Sequence, residues 1–269
     1  MTASLADAGA RLLGGELLSN RRLYGGDLSE VLQLAFTDGR QAIVKAGPAP
    51  AVEAAMLDAM GASGAPVPAV LAADDHILAI EVLPAHGRVA DAWGSLGTAL
   101  ALLHGETGTR YGWSDDYAFG AVTIPNSFCD NWPRFWAERR LLNNLAHLPS
   151  TWAPRIEGLA AQLEKLLPAA PMPALLHGDL WGGNILVTGN RVSGLIDPAC
   201  YYGHAEVDIG MLSLFDSPDP AFFEAYRPMQ PGWLERQPIY QLWPALVHLR
   251  LFGSGYAGMV DRLLSAVGF

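Results

Sequence analysis

The stretch LLHGDLWGGNILVTGNRVSGLIDP, residues 175–198, sets Asp179, Asn184 and Asp197 among apolar residues and glycines. Buried charge is costly unless it is paired or bound to a cation. Phosphoryl transfer uses such a set: one carboxylate to orient a hydroxyl and accept its proton, and hard oxygens for Mg²⁺. Asp179 follows an apolar run on a loop, which suits the first role. Asn184 opens NILV and Asp197 closes VSGLID, so pairing these segments as a hairpin brings both side chains to one end. Two oxygen ligands there make half a magnesium site, with nucleotide phosphates supplying the rest. Alone, Asp179 reads equally well as a helix cap or an ordinary loop acid. The spacing of the three favours chemistry.

Other elements must hold these residues. Residues 3–18 carry helical spacing, weakened at Gly14-Gly15, and a strand-like period begins at Arg22. EVLQLAF and QAIVK flank a turn at Asp38-Gly39, and Pro48 and Pro50 precede a helix over AVEAAMLDAM. VPAVLAA and HILAIEVL read as two further strands. Beyond Pro84 helices dominate: Val89–His104, Trp132–Leu145 and Trp152–Leu167, then others starting near His204, Pro220, Trp233 and Leu249. A small strand-rich lobe (1–84) followed by a larger helical one (85–269) implies a ligand cleft between them.

The 269 residues suffice for two lobes and a large core, and 51% hydrophobic against 16% charged residues argues for a compact chain. Lysine and arginine number 17 against 27 acids, a net charge of -10 without any basic cluster. Nucleic acid and anionic membrane surfaces are therefore unexpected partners. Cys129 and Cys200 are too few for a disulfide framework and too far apart for a zinc motif. No basic leader and no bilayer-length apolar run is visible, so a cytoplasmic location is expected.

The H-x-D-x-x-x-x-N pattern with a later Asp resembles the protein-kinase-like fold. Its HGD form, with Gly178, looks like the small-molecule branch that includes aminoglycoside and choline kinases. LLHGDLWGGNILV, IDPACYYGHAEVDIGML and PGWLERQPIYQLWPALVHLRLFG resemble the fructosamine (ketosamine) kinase family, from about Gly25 to the C-terminus. The resemblance implies an α+β, two-lobed fold with an antiparallel sheet in the smaller lobe. It also implies an ATP- and Mg²⁺-dependent kinase acting on a sugar hydroxyl of a small-molecule ketosamine or a glycated lysine; the sequence does not say how the chain assembles, and a monomer is the expectation. Carried over, Asp179 is the catalytic base, and Asn184 and Asp197 are the metal ligands. Lys45 contacts the α- and β-phosphates and Glu53 pairs with it, ahead of Asp58 on the same helix. Gly25 and Gly26 cover the phosphates, with Asp27 pointing away, although a Gly pair also marks ordinary turns. Glu81, Val82 and Leu83 form the hinge that reads the adenine edge. Ile43, on the same strand face as Lys45, lines the adenine pocket.

Several residues keep blander readings. His177 braces the catalytic loop, Asp208 hydrogen-bonds the backbone of that loop, and His104 ends a helix before Gly105. Tyr201, Tyr202 and His204 are open between substrate contact and packing. Trp132, Trp136, Trp233 and Trp243 recur at helical spacing and read as core. Pro125-Asn126 departs from the family's usual Pro-Gln, and the connection there looks shorter. Gly183 stands where the family often has Ser. The first departure leaves the acceptor open among ketosamines, aminoglycosides and amino alcohols. A nucleotide-binding pseudokinase would show a defect in the Lys45, Asp179, Asn184, Asp197 set, and none is missing.

Overall fold

Helix α1 (Leu5–Leu13) starts where the Ser4 side chain accepts the Asp7 N–H at 3.2 Å and stops at Gly14, whose left-handed φ of 60° returns its N–H to the last turn. This computed structural model describes residues 4–23 and 30–269. Because Gly14 ends the helix early, β1 is Leu17–Arg22, where the sequence suggested helix to residue 18 and strand only from Arg22. The next elements are β2 (Val31–Phe36), β3 (Gln41–Ala46), α2 (Pro50–Ala62), β4 (Val70–Ala73) and β5 (Ile77–Ile80). The strands form one antiparallel sheet in the order β1-β2-β3-β5-β4.

Strand alternation gives this sheet two different faces. Leu32, Leu34, Ala42, Val44 and Ala79 pack against Ala6 and Ala10 of α1. Gly9 permits the close approach, since a Cβ there would lie 2.8 Å from Val44. The opposite face carries Ile43, Leu78 and Ile80 against Ala54 and Leu57 of α2, and on this face Lys45 reaches Glu53.

The helical part contains α3 (Trp93–Leu103), the hairpin β6 (Tyr117–Phe119) and β7 (Val122–Ile124), and α4 (Trp132–Phe135). The single helix expected over Trp132–Leu145 is not uniform: it widens to π geometry over Trp136–Leu141 and tightens to 3₁₀ over Leu142–His147. Trp152–Leu167 likewise splits into α5 (Ala153–Ala160) and α6 (Leu163–Leu166). Strands β8 (Ala174–Leu176), β9 (Ile185–Thr188), β10 (Arg191–Leu195) and β11 (Tyr201–Gly203) pair as β8 with β11 and β9 with β10. Then come α7 (Glu206–Phe215), α8 (Pro220–Tyr226), α9 (Trp233–Phe252) and α10 (Ala257–Ala266). No helix starts near Leu249; α9 passes through that point and ends at Gly253, whose φ of 83° breaks the helix. A continuous core joins α3, α4, α7, α8 and α9, and its largest fully buried side chains include Trp132, Trp136 and Tyr240.

Candidate active site

The β9–β10 hairpin places two of the three signature residues as their spacing anticipated. Leu195 pairs with Ile185, and the Ile196 N–H donates to the Asn184 carbonyl at 3.0 Å, so Asn184 and Asp197 sit side by side at the hairpin's open end. Among the described residues Asp197 is the non-glycine residue with positive φ, 54°, a conformation that side chains other than glycine adopt at some cost. Across from it, Lys45 Nζ lies 2.6 Å from Asp197 Oδ1 and 2.7 Å from Glu53 Oε1. Tyr117 donates its hydroxyl to the other Glu53 oxygen at 3.1 Å. Burial pushes the Lys45 pKa down, but Glu53 and Asp197 together outweigh it and hold the ammonium charged. Asp58, the alternative partner on α2, is exposed.

Asp179 stands on the loop after β8. Asn184 ties it down, donating Nδ2 to the Asp179 carbonyl at 2.8 Å and to Asp179 Oδ2 at 2.9 Å. Burial is the main reason its pKa is pushed up to about 7; the Asn184 bond opposes the shift and the Asp197 charge adds to it. Because Asn184 spends its N–H groups on Asp179, its amide oxygen is left as a free acceptor. Asp197 has committed Oδ1 to Lys45 and retains Oδ2. These two hard oxygens fit a divalent cation in the company of phosphate, and among the described residues no cluster of three or more acidic, His or Cys side chains offers a self-sufficient metal cage.

Two carboxylates clamp the loop, one in α7 and one just past its C-terminal end. Asp208 accepts the N–H groups of His177 (2.7 Å) and Gly178 (2.9 Å), and Asp216 accepts that of Gly182 (2.7 Å). Asp208 also faces His104 Nε2 at 3.0 Å, while His104 Nδ1 meets the Tyr226 hydroxyl at 2.7 Å. A carboxylate only accepts, so Nε2 carries the proton and Nδ1 accepts from Tyr226. Burial raises the Asp208 pKa, yet His104, His177 and the backbone donors outweigh it and leave it below the usual value. His177 braces the loop from the other side, with Nε2 3.0 Å from the Ile196 carbonyl. Gly178 adopts a φ of 80°, and a Cβ there would overlap the Ala199 carbonyl oxygen.

A cleft lined by Lys45, Glu53, Asp179, Asn184 and Asp197 thus gathers the central residues singled out in the sequence. Other expectations fare differently. Ile43 shares the Lys45 face but packs toward α2, outside the lining of this cleft. Glu81, Val82 and Leu83 also lie outside it: Glu81 exchanges hydrogen bonds with Ala69, and Leu83 covers the space a Cβ on Gly194 would need. Gly25, Gly26 and Asp27 fall outside the described residues. His104 does more than end a helix. Tyr201 and His204 are packing residues, the first against Phe135 and Arg140 and the second bonded to the Tyr240 hydroxyl, whereas Tyr202 is half-buried against Trp113. Trp243 is buried but also forms cleft wall, so reading it as core alone is incomplete. Sequence reasoning missed Tyr117, Trp181, Asp216 and His248. Trp181, inside HGDLWGGN, and His248, inside PGWLERQPIYQLWPALVHLRLFG, carried a local signal; Tyr117 and Asp216 reach the site through tertiary contacts.

Comparison with known proteins follows this geometry. Residues 15–267 match the family model described as fructosamine kinase. The chain belongs to the fructosamine kinase family. A candidate ketoamine kinase of Synechocystis is 38% identical over 189 residues, which covers 65% of this chain and 61% of that protein. Its alignments with the first curated relatives span 61–65% of their length. The crystal structure of a candidate fructosamine-3-kinase from Thermobifida fusca superposes with a TM-score of 0.89 at 31% identity, covering 98% of each chain. An aminoglycoside phosphotransferase, APH(4)-Ia, shares the fold at 12% identity with a TM-score of 0.70, over 99% of both chains. The architecture is therefore that of the protein-kinase-like phosphotransferases, as expected. Among the described residues no helix is long and apolar enough to cross a membrane.

Proposed function

We propose that this member of the fructosamine kinase family is an ATP-dependent kinase that phosphorylates a sugar hydroxyl of a ketosamine, the 3-hydroxyl of a fructosamine or ribulosamine. The observation that carries the reading is the joint placement in one cleft of a half-buried Asp179 bound by Asn184 and of Asp197 bound to the Lys45–Glu53 pair. The names of the Synechocystis and Thermobifida relatives support the choice of acceptor.

In this reading Asp179 orients the acceptor hydroxyl and takes its proton as the oxygen bonds to the terminal phosphorus and the bond to ADP breaks. Mg²⁺–ATP, when bound, would supply the phosphoryl group and offset its charge, and the Asn184 oxygen and Asp197 would hold the metal. Lys45 sits beside Asp197, ready to meet phosphate oxygens, and Glu53 fixes its position. Tyr117 holds Glu53 in turn. Catalysis then consists mainly of positioning and fixed charge. The product, a ketosamine 3-phosphate, is unstable and sheds the sugar, so the reaction serves to repair glycated amines, free or on lysine.

The Asp179→Asn variant tests this. It preserves the shape of the site and removes the proton acceptor, so nucleotide affinity should hold while kcat falls roughly 10²–10⁴-fold. ADP release with ribulosamine as acceptor, read beside nucleotide titration, checks both. Unchanged turnover removes Asp179 from the role, and no phosphorylated ketosamine by mass spectrometry with the unsubstituted protein refutes the acceptor.

A further inference from the structure

The cleft continues away from Asp179 along one side of α9, where Trp243, Val247, His248, Leu251 and Phe252 form its wall, with Phe119 of the β6–β7 hairpin nearby. Among the described residues this stretch of wall holds no charged side chain. It differs in that respect from the reaction centre, where Lys45, Glu53, Asp179 and Asp197 crowd together. A polycationic acceptor would meet no carboxylate on this wall to replace the water it loses, whereas an acceptor with an apolar substituent would bury it.

One polar group interrupts the apolar surface. His248 Nδ1 lies 2.8 Å from the Pro244 carbonyl. A carbonyl only accepts, so Nδ1 bears the proton and Nε2 of the neutral ring presents a lone pair. That nitrogen has no protein partner among the described residues, and it is not among the sealed, partnerless polar atoms of the interior. The ring packs against Phe215 (centroids 4.6 Å apart), Tyr256 (5.1 Å) and Phe252 (5.4 Å). Burial pushes the His248 pKa down, which keeps the ring neutral near pH 7. A rigid acceptor atom with an unused lone pair, on the wall of the cleft that holds the reaction centre, is suited to receive an N–H or O–H of a bound molecule.

We propose that His248 is the specificity-determining residue of the acceptor subsite, taking one N–H or O–H of the acceptor on Nε2 while the α9 wall buries an apolar amine substituent. This rests on the kinase reading above and deepens it. The site favours an acceptor whose amine carries an uncharged, apolar substituent over one carrying several charges.

The test uses the full chain with ATP and an acceptor panel: an N-alkyl ribulosamine, the ribulosamine of a zwitterionic amino acid, and a polycationic aminoglycoside. His248→Phe keeps the aromatic packing and removes the lone pair. Its KM for the N-alkyl ribulosamine should rise about 10- to 100-fold, the worth of one lost hydrogen bond to a polar or charged donor, with the KM for ATP and the melting temperature unchanged. His248→Gln, which can return an oxygen near the Nε2 position, should recover most of that loss. The unsubstituted protein should prefer the N-alkyl compound over the other two by kcat/KM. An unaltered acceptor KM in His248→Phe, an equal rise in the KM for ATP, or failure of His248→Gln to recover overturns the assignment of His248. Preference for the zwitterionic or polycationic acceptor overturns the apolar-wall argument. If the unsubstituted protein turns over no panel member, the kinase reading fails and this inference with it; turnover with unaltered His248→Phe kinetics sinks the inference alone.

Discussion

Replacing Asp208 by asparagine should damage stability and turnover together, and its size follows from the contacts. Asp208 is 1% exposed. Its Oδ2 accepts the His177 N–H and faces His104 Nε2, and its Oδ1 accepts the Gly178 N–H. Asparagine retains one oxygen. Placed at the Oδ2 position it keeps two bonds, and its NH₂ then points at the Gly178 N–H, donor against donor with no water to intervene. An unsatisfied buried donor costs about 1–3 kcal/mol, and two bonds that lose charge assistance forfeit about 1 kcal/mol each, so the loss should reach about 3–5 kcal/mol. For a chain of this size that lowers the melting temperature by about 6–20 °C. Gly178 adjoins Asp179, so a shift of the loop by about an ångström should also cut kcat by about 10²-fold. The pH dependence has a definite sign. The folded Asp208 carboxyl is held below its ordinary value, so the unfolded chain binds the proton more readily. The stabilisation is complete above pH of about 4 and is lost as pH falls through the depressed value. Calorimetric scans of both proteins should show a constant gap from neutrality down to about pH 5, closing at lower pH. A gap under about 1 kcal/mol at pH 7, or full turnover in the variant, would refute the view that Asp208 anchors the loop.

Two other substitutions probe the remaining supports. Lys45→Met leaves Glu53 and Asp197 without their shared cation; breaking such a buried pair should destabilise by about 3–5 kcal/mol and lower kcat about 10²–10³-fold, measured by thermal unfolding and saturation kinetics with ATP. Gly178→Ala forces a Cβ into the left-handed region and onto the Ala199 carbonyl; a stability loss above about 2 kcal/mol in denaturant titration, with turnover falling in step, is expected.

The sequence alone determined which groups gather as the candidate reaction centre and how their strands lie. HGDLWGGN and LIDP named Asp179, Asn184 and Asp197, and the period-2 segments between them required the hairpin that sets the last two together. Lys45 and Glu53 were legible through the family resemblance, which set the strand-end lysine against the first-turn acid of the next helix, and the structure pairs them. Such information is local: residue type, alternation and turn chemistry act over a few positions. Helix ends were harder to read, as at Gly14 and Gly253, where one left-handed glycine outweighed a periodic pattern on either side. Only the tertiary structure decided what surrounds the reaction centre. Tyr117 reaches Glu53 across 64 positions, His104 reaches Asp208 across 104, and α9 brings His248 to the cleft from the far end of the chain. Nothing near these residues in the sequence marks their partners, because burial and hydrogen bonding between distant segments exist only once the core has closed around them.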